Sequence, residues 1–156
     1  MKRRTFSRLA AAAALLAPIA APAHAQGAEA AEEQGLTIID AEGVSLDDFR
    51  WRNRLVVVFA DAPIDPRFTE QMQMLRARPS ALVERDVVVV TDTDPDARSE
   101  LRQKLRPRGF QLTLIGKDGE VELRKPSPWS SREISRSIDK MPLRLQEIRE
   151  QKAGAG

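Results

Sequence analysis

The chain of 156 residues contains no cysteine and no tyrosine, and its only histidine is His24. A protein without cysteine cannot carry out disulfide exchange or thiol-based peroxide reduction, because both reactions begin with attack by a thiolate. No disulfide stabilises the chain either, so its apolar core must hold the fold by itself. Acid–base catalysis without histidine would need a carboxylate whose pKa is raised towards neutrality.

Long apolar runs are confined to the N-terminus. Positive charges between Lys2 and Arg8 precede an Ala- and Leu-rich run over Leu9–Ala20, and Ala23–Ala25 forms a small-x-small cleavage site. This layout is typical of a secretory signal peptide and is too short for a membrane anchor. We predict that residues 1–25 are cleaved and that the protein is periplasmic or secreted. The Sec route is the ordinary expectation, and Arg3-Arg4 leaves the twin-arginine route open.

The charge balance changes once the signal peptide is removed. Of 25 basic residues, four lie in the signal peptide, which leaves 21 against 23 acidic residues and a net charge of about −2. This balance lacks the excess of basic residues that phosphate backbones require, and it argues against a nucleic-acid partner. No second apolar run is long enough to span a bilayer. No motif predicts a cofactor, and we expect the partner to be another protein or a small ligand.

Strand and helix signals alternate through the middle of the chain. Leu55–Ala60 and Asp86–Thr91 are β-branched, apolar runs that predict strands buried on both faces of a parallel sheet. Pro66 and Pro95 then mark the starts of helices, and apolar residues follow each proline at helical spacing. Because parallel strands need a crossover, these segments predict a β-α-β-α unit.

The last third predicts a hairpin and a helix. Phe110–Ile115 and Glu120–Lys125 form the hairpin around Lys117-Asp118-Gly119, because Asp-Gly favours a tight turn. Ser130-Ser131 begins a final helix with a kink at Pro142. The apolar stripe of this helix comprises Ile134, Ile138, Met141, Leu145 and Ile148. The order β-α-β-α-β-β-α predicts a single thioredoxin-like α/β domain, with a mixed sheet flanked by helices.

This predicted domain occupies residues 45–149. The segment 26–44 before it begins with an Ala-, Glu- and Gly-rich stretch. We interpret it as a flexible spacer with a possible short edge strand at Leu36–Ile39. Residues 150–156 are interpreted as a disordered tail.

Six motifs in the domain resemble one family. They are Leu46–Trp51, Arg54–Phe59, Asp65–Phe68, Glu84–Asp86, Leu114–Gly119 and Ile138–Pro142. In this order they resemble DUF4174, a family of bacterial exported proteins and of similar domains in vertebrate secreted, sushi-repeat and matrix-associated proteins. The resemblance implies a thioredoxin-like fold related to peroxiredoxins, and it implies no particular activity.

The sequence departs from a working thioredoxin at both parts of the redox site. Pro63-Ile64-Asp65-Pro66 stands where thioredoxins carry Cys-x-x-Cys, and Gln111 stands where they carry a cis-proline. Both halves of the thiol site are therefore replaced, and we expect a redox-inactive scaffold.

Aspartates follow both Val-rich strands. Asp61 and Asp65 come after the first strand, and Asp92 and Asp94 come after the second. If the strands are neighbours, these carboxylates meet at one edge of the sheet and form candidates for a hard-cation site or a carboxylate enzyme. Helix capping is the competing interpretation, because an aspartate before a helix satisfies its unpaired N–H groups.

Two further residues are candidates for binding. Trp51 is interpreted as a core residue or as an anchor for a partner. Arg67 either forms a salt bridge with a local aspartate or binds an anion. The leading hypothesis is a non-catalytic binding module whose edge is formed by Trp51, Asp61, Asp65 and Arg67. The alternative is a carboxylate- or metal-dependent enzyme that uses Asp61, Asp65, Asp92 and Asp94.

Overall fold

The computed structural model describes residues 31–33 and 35–155, so the predicted signal peptide and the first residues of the predicted spacer lie outside the described part. The strands are β1 (Ala31–Glu33), β2 (Leu36–Asp40), β3 (Arg54–Phe59), β4 (Val87–Asp92), β5 (Gln111–Ile115) and β6 (Val121–Lys125). The α-helices are α1 (Pro66–Ala77), α2 (Ser80–Val83), α3 (Glu100–Leu105), α4 (Ser131–Ile138) and α5 (Pro142–Gly154). Short 3-10 helices cover Leu46–Asp48 and Pro95–Ala97.

The strands form one mixed sheet in the order β1-β2-β4-β3-β5-β6. β2, β4 and β3 are parallel neighbours, whereas β5 pairs antiparallel with β3 and β6 pairs antiparallel with β5. All six positions of β3 are buried, as expected for a central strand covered on both faces. The predicted α/β thioredoxin-like arrangement is confirmed.

Helices cover both faces of the sheet, so the core has two layers. Alternate residues of β3 point to opposite faces, which is the period of a strand. On one face Val56 and Val58 join a cluster with side chains from α1, α2 and α4. On the other face Leu55 and Val57 join a cluster that includes Leu101 of α3. The core therefore fixes the carboxyl ends of β3 and β4 between α1 and α3.

The predicted hairpin is present as β5 and β6. Gly119 in its turn has a φ of +87°, a left-handed conformation that favours glycine. The pairing register shifts between Leu114 and Ile115, which marks a bulge.

The strand predicted at Leu36–Ile39 is present as β2, but it is not an edge strand, and the interpretation of residues 36–44 as part of a flexible spacer is wrong. β2 lies inside the sheet, between β1 and β4, and pairs in parallel with Val89 and Val90. Leu36 is fully buried, and Ala41 and Val44 also belong to the core. The folded domain therefore includes this segment.

The interpretation of the C-terminal region is wrong in two respects. The predicted single kinked helix is two helices, because Pro142 begins α5 after a break behind Ile138. The apolar stripe is buried as predicted over Ile134, Ile138 and Met141, but it does not continue into α5: Leu145 is 45% exposed, and Arg144 is buried instead. α5 continues to Gly154, so the predicted disordered tail is helical over residues 150–154. Among the described residues, no helix is both long and apolar enough to cross a membrane.

Candidate functional site

The turn at residues 60–65 connects the carboxyl end of β3 to the start of α1. The Asp65 side chain accepts a hydrogen bond from the backbone N–H of Arg67 at 2.9 Å and thereby caps the helix. Pro66 occupies the first turn, where its missing N–H is no loss. The Arg67 guanidinium donates to both carboxylate oxygens of Asp65, at 3.2 and 2.9 Å, and lies 5.4 Å from the Phe110 ring centre. The predicted local salt bridge of Arg67 is confirmed.

A second ion pair joins the ends of β3 and β4. Asp92, which is 4% exposed, accepts from Nε and Nη2 of Arg102 at 3.0 and 2.7 Å. Ser99 also donates to this carboxylate. Nη2 of Arg102 further donates to the carbonyl oxygens of Ala60 and Asp92, at 2.9 and 3.1 Å. Arg102 therefore fastens α3 to the ends of both strands.

The candidate metal-binding aspartates do not form one cluster of carboxylates, because each is engaged in a contact of its own. Asp61 is exposed and lies 3.8 Å from Nη1 of Arg102. Asp94 accepts from the backbone N–H of Asp96 and caps the second 3-10 helix. Across residues 31–33 and 35–155, no three histidine or carboxylate residues gather where they could hold a metal ion. The structure brings Asp61 and Asp92 together around an arginine, and it uses Asp65 and Asp94 as helix caps.

The turn before α1 presents an exposed apolar residue. Ile64 in this turn is 86% exposed. The neighbouring residue Pro63 lines a groove of about 330 Å³ together with Phe68 and Met72. Gln111 begins β5 opposite Phe59, and no cis peptide bond occurs among the described residues. This end of the sheet thus combines an exposed apolar residue, a groove and a fixed arginine.

Trp51 does not belong to this edge. It precedes β3, whereas Asp61 follows it, and a six-residue strand spans roughly 20 Å. The indole is 66% exposed, so the interpretation of Trp51 as a core residue is wrong. The backbone φ of Trp51 is +64°, and its backbone N–H donates to the carbonyl oxygen of Lys117 at 2.6 Å. The predicted binding edge is therefore two surfaces at opposite ends of β3.

A group of ion-paired side chains near Trp51 was not predicted from the sequence. This charged cluster consists of Arg54, Arg85, Asp86, Lys117, Asp139, Arg144 and Glu147. Arg54 is fully buried although it is the first residue of β3. The sequence signals were an arginine directly before an apolar run and an arginine and a glutamate three residues apart on a helix. Charged residues in both patterns are usually exposed to solvent, so the sequence does not indicate that these are buried.

Electrostatics within the charged cluster favour the ionised forms of Glu147 and Asp139. Burial by itself raises the pKa of Glu147, but hydrogen bonds from Lys117, Arg54 and Arg144 outweigh it and lower the pKa to about 2. The hydrogen bonds of Arg85 lower the pKa of Asp139. At the other end of β3, the side-chain hydrogen bonds of Arg67 lower the pKa of Asp65.

Solved structures similar to this chain include redox proteins of the thioredoxin and peroxiredoxin type. A reduced 2-Cys peroxiredoxin from Plasmodium vivax superposes with a TM-score of 0.53 at 15% identity, over 69% of this chain and 85% of that chain. The exposed lipoprotein thioredoxin of Streptococcus pneumoniae gives a TM-score of 0.49 at 14% identity, over 72% of this chain and 97% of that chain. Desulfothioredoxin from Desulfovibrio vulgaris gives 0.48 at 19% identity, over 64% of this chain and 92% of that chain. The likeness to the peroxiredoxin shows the fold alone.

A family profile also matches the chain. The profile described as "Domain of unknown function (DUF4174)" matches residues 45–147, which include all six motifs noted in the sequence. The predicted resemblance is confirmed. The chain belongs to the DUF4174 family and carries its thioredoxin-like fold without a cysteine.

Proposed function

We propose that this protein is an exported, non-catalytic binding module that recognises its partner at the carboxyl ends of β3 and β4. One observation carries the proposal. Pro63-Ile64-Asp65-Pro66 stands where thioredoxins carry Cys-x-x-Cys; Ile64 in this segment is 86% exposed, and the adjacent Pro63 lines a groove. An exposed apolar side chain close to a concave surface is typical of a binding surface.

The charged residues of this edge support binding over catalysis. A carboxylate that acts as a general base near neutral pH needs a raised pKa. The pKa of Asp65 moves the other way, because Arg67 donates hydrogen bonds to the ionised form. Arg102 holds Asp92 in the same paired manner. These contacts stabilise a fixed surface in which both carboxylates are paired with arginines.

The N-terminal sequence supports export. Residues 1–25 have the charge, length and cleavage site of a signal peptide. A chain without cysteine is also indifferent to the oxidising conditions of the periplasm. We therefore place the proposed partner in the periplasm or outside the cell.

Site-specific photo-crosslinking tests the proposal. A photoreactive amino acid replaces Ile64 in one full-length variant and Val83 in the control. Val83 is the matched position because it is also an exposed apolar residue, at 38%, but lies on α2. After irradiation in the native host, the Ile64 variant is expected to yield discrete adducts that the Val83 variant does not. Equal adduct patterns from both positions would contradict a binding role for this edge.

A further inference from the structure

Three cationic side chains converge on one carboxylate within the charged cluster. Arg54 donates to Oε1 and Oε2 of Glu147, at 3.0 and 3.3 Å. Nζ of Lys117 lies 2.9 Å from Oε1, and Nη1 of Arg144 lies 3.1 Å from Oε2. The Arg54 side chain is 1% exposed and the other two cations are also mostly buried. A forked guanidinium with two further donors is the geometry of carboxylate recognition.

The surroundings of Glu147 hold more positive than negative charge. Besides Glu147, the charged cluster contains four cations and two carboxylates, and Arg85 also lies 3.6 Å from the exposed Glu84. Asp86 pairs with Lys117 at 2.7 Å, and Asp139 pairs with Arg85 at 2.8 Å. Within the described part of the chain, Nε of Arg54 and Nε of Arg144 are buried without a hydrogen-bond acceptor. The site therefore offers more donors than its own carboxylates accept.

The carboxylate of Glu147 is carried by α5, a helix that contacts the rest of the domain mainly through charged side chains. Of the thirteen residues of α5, all of which the structure describes, only Arg144 is buried. Leu143 and Ile148 are half-buried, and Leu145 is 45% exposed. α5 is also separated from α4 by the break before Pro142. Glu147 thus resembles a ligand presented to Arg54 of β3 and Lys117 of the β5–β6 turn, and Arg144 of its own helix completes the site.

We propose that Arg54, Lys117 and Arg144 form a binding site for a small carboxylate, and that Glu147 is its internal ligand. The inference is independent of the function proposed for the opposite end of β3. A free carboxylic acid of two carbons takes the position of the Glu147 side chain when that side chain is absent, because Cγ and the carboxyl group of glutamate have the size of acetate.

The full-length variant Glu147→Ala tests this site by chemical rescue. Its melting temperature is measured in sodium acetate and in sodium chloride at equal ionic strength. A ligand that binds the folded state raises its stability in a saturable way. We expect acetate to raise the melting temperature of the variant by about 4 °C or more relative to chloride, a shift that corresponds to a well-populated site in a domain of this size.

Two matched proteins control for general salt effects. Wild type keeps the internal ligand and is expected to gain nothing from acetate. Glu150→Ala removes an exposed carboxylate from the same helix, one that accepts a hydrogen bond from Gln146 at 2.8 Å, and should behave as wild type. Adding Arg54→Met to the Glu147→Ala variant is expected to abolish the rescue.

The outcomes separate cleanly. Equal effects of acetate and chloride on the Glu147→Ala variant, or an equal acetate effect on all proteins, would overturn the site. If this variant does not fold in chloride, its refolding yield decides the matter. Recovery in acetate alone supports the site, whereas no recovery, or the same yield in both salts, overturns it.

Discussion

Arg54 and Glu147 are 93 positions apart in the chain, yet the arginine's guanidinium donates to both oxygens of the glutamate. This pair joins the first residue of the central strand to the C-terminal helix. It lies at the end of the sheet that is remote from Pro63 and Ile64. The domain therefore has two distinct polar ends, one with short-range ion pairs around Arg67 and Arg102, and one with the charged cluster.

The pair predicts an asymmetry between two substitutions. Glu147→Gln removes the only carboxylate shared by three cations, whereas Arg54→Met leaves Glu147 with Lys117 and Arg144. Loss of one partner of a buried ion pair costs about 3–5 kcal/mol when the remaining charge is left without compensation. We expect Glu147→Gln to lower the free energy of unfolding by more than Arg54→Met does, as measured by urea denaturation. The opposite order would show that the methylene stem of Arg54, rather than its charge, carries the stability.

The low pKa of Glu147 predicts a stability change in acid. The pKa is lowered from 4.5 to about 2 in the folded protein. The unfolded chain therefore binds the proton first, and stability rises with pH over this window. The contribution is complete above pH 4.5 and is lost as the pH falls towards 2. A shift from 4.5 to about 2 corresponds to roughly 3.4 kcal/mol, and solvent screening of this partly exposed carboxylate reduces the total to on the order of 2–3 kcal/mol. Urea denaturation at several pH values should show this slope in wild type and a reduced slope in Glu147→Gln. Identical slopes would contradict the assignment.

The ion pairs around Arg102 predict how the protein responds to divalent cations. Asp92 is held by Arg102 and Ser99, and Asp65 and Asp94 cap helices, so these carboxylates are already engaged. We expect millimolar calcium or magnesium to shift the melting temperature by less than about 1 °C, since a bound ion would stabilise the folded state. A saturable rise that disappears in Asp92→Asn would instead support the metal-dependent alternative.

The backbone conformation of Trp51 predicts that glycine is preferred over alanine at this position. A bulky residue at a φ of +64° is strained, and this strain costs roughly 1–3 kcal/mol. Because the indole is 66% exposed, its removal forfeits little packing. Trp51→Gly should therefore be more stable than Trp51→Ala by about 1 kcal/mol, the difference that glycine's freedom in this region allows. Thermal denaturation of both variants measures it, and a less stable glycine variant would refute the strain argument.

The sequence predicts the parts of this fold whose signals are local. The Val-rich runs of β3 and β4 and the Asp-Gly turn before β6 carry their own periodicity and turn chemistry, so they are found in the right place. The role of Asp65 as a helix cap is local as well. Its pairing with Arg67 follows from a separation of two residues.

Other features depend on partners distant in the chain. Ile38 and Ile39 lie in a strand inside the sheet because β4, about fifty residues later, pairs with them. Arg54 is buried only because Glu147 reaches it from α5. Trp51 and Asp61 are close in sequence, but β3 runs between them and carries them to opposite ends. Such long-range relationships leave no periodic trace in the sequence.

The position of β2 has a practical consequence for the boundaries of the domain. The family match begins at residue 45, but β2 ends at Asp40 and covers one side of β4. A polypeptide truncated at Ser45 would expose the backbone of β4 as a new sheet edge, together with apolar side chains such as Val89 that now pack beside Leu36. An exposed Val-rich edge favours intermolecular strand pairing. The smallest soluble, autonomously folding fragment should therefore start before Leu36, well upstream of the point where family similarity becomes recognisable.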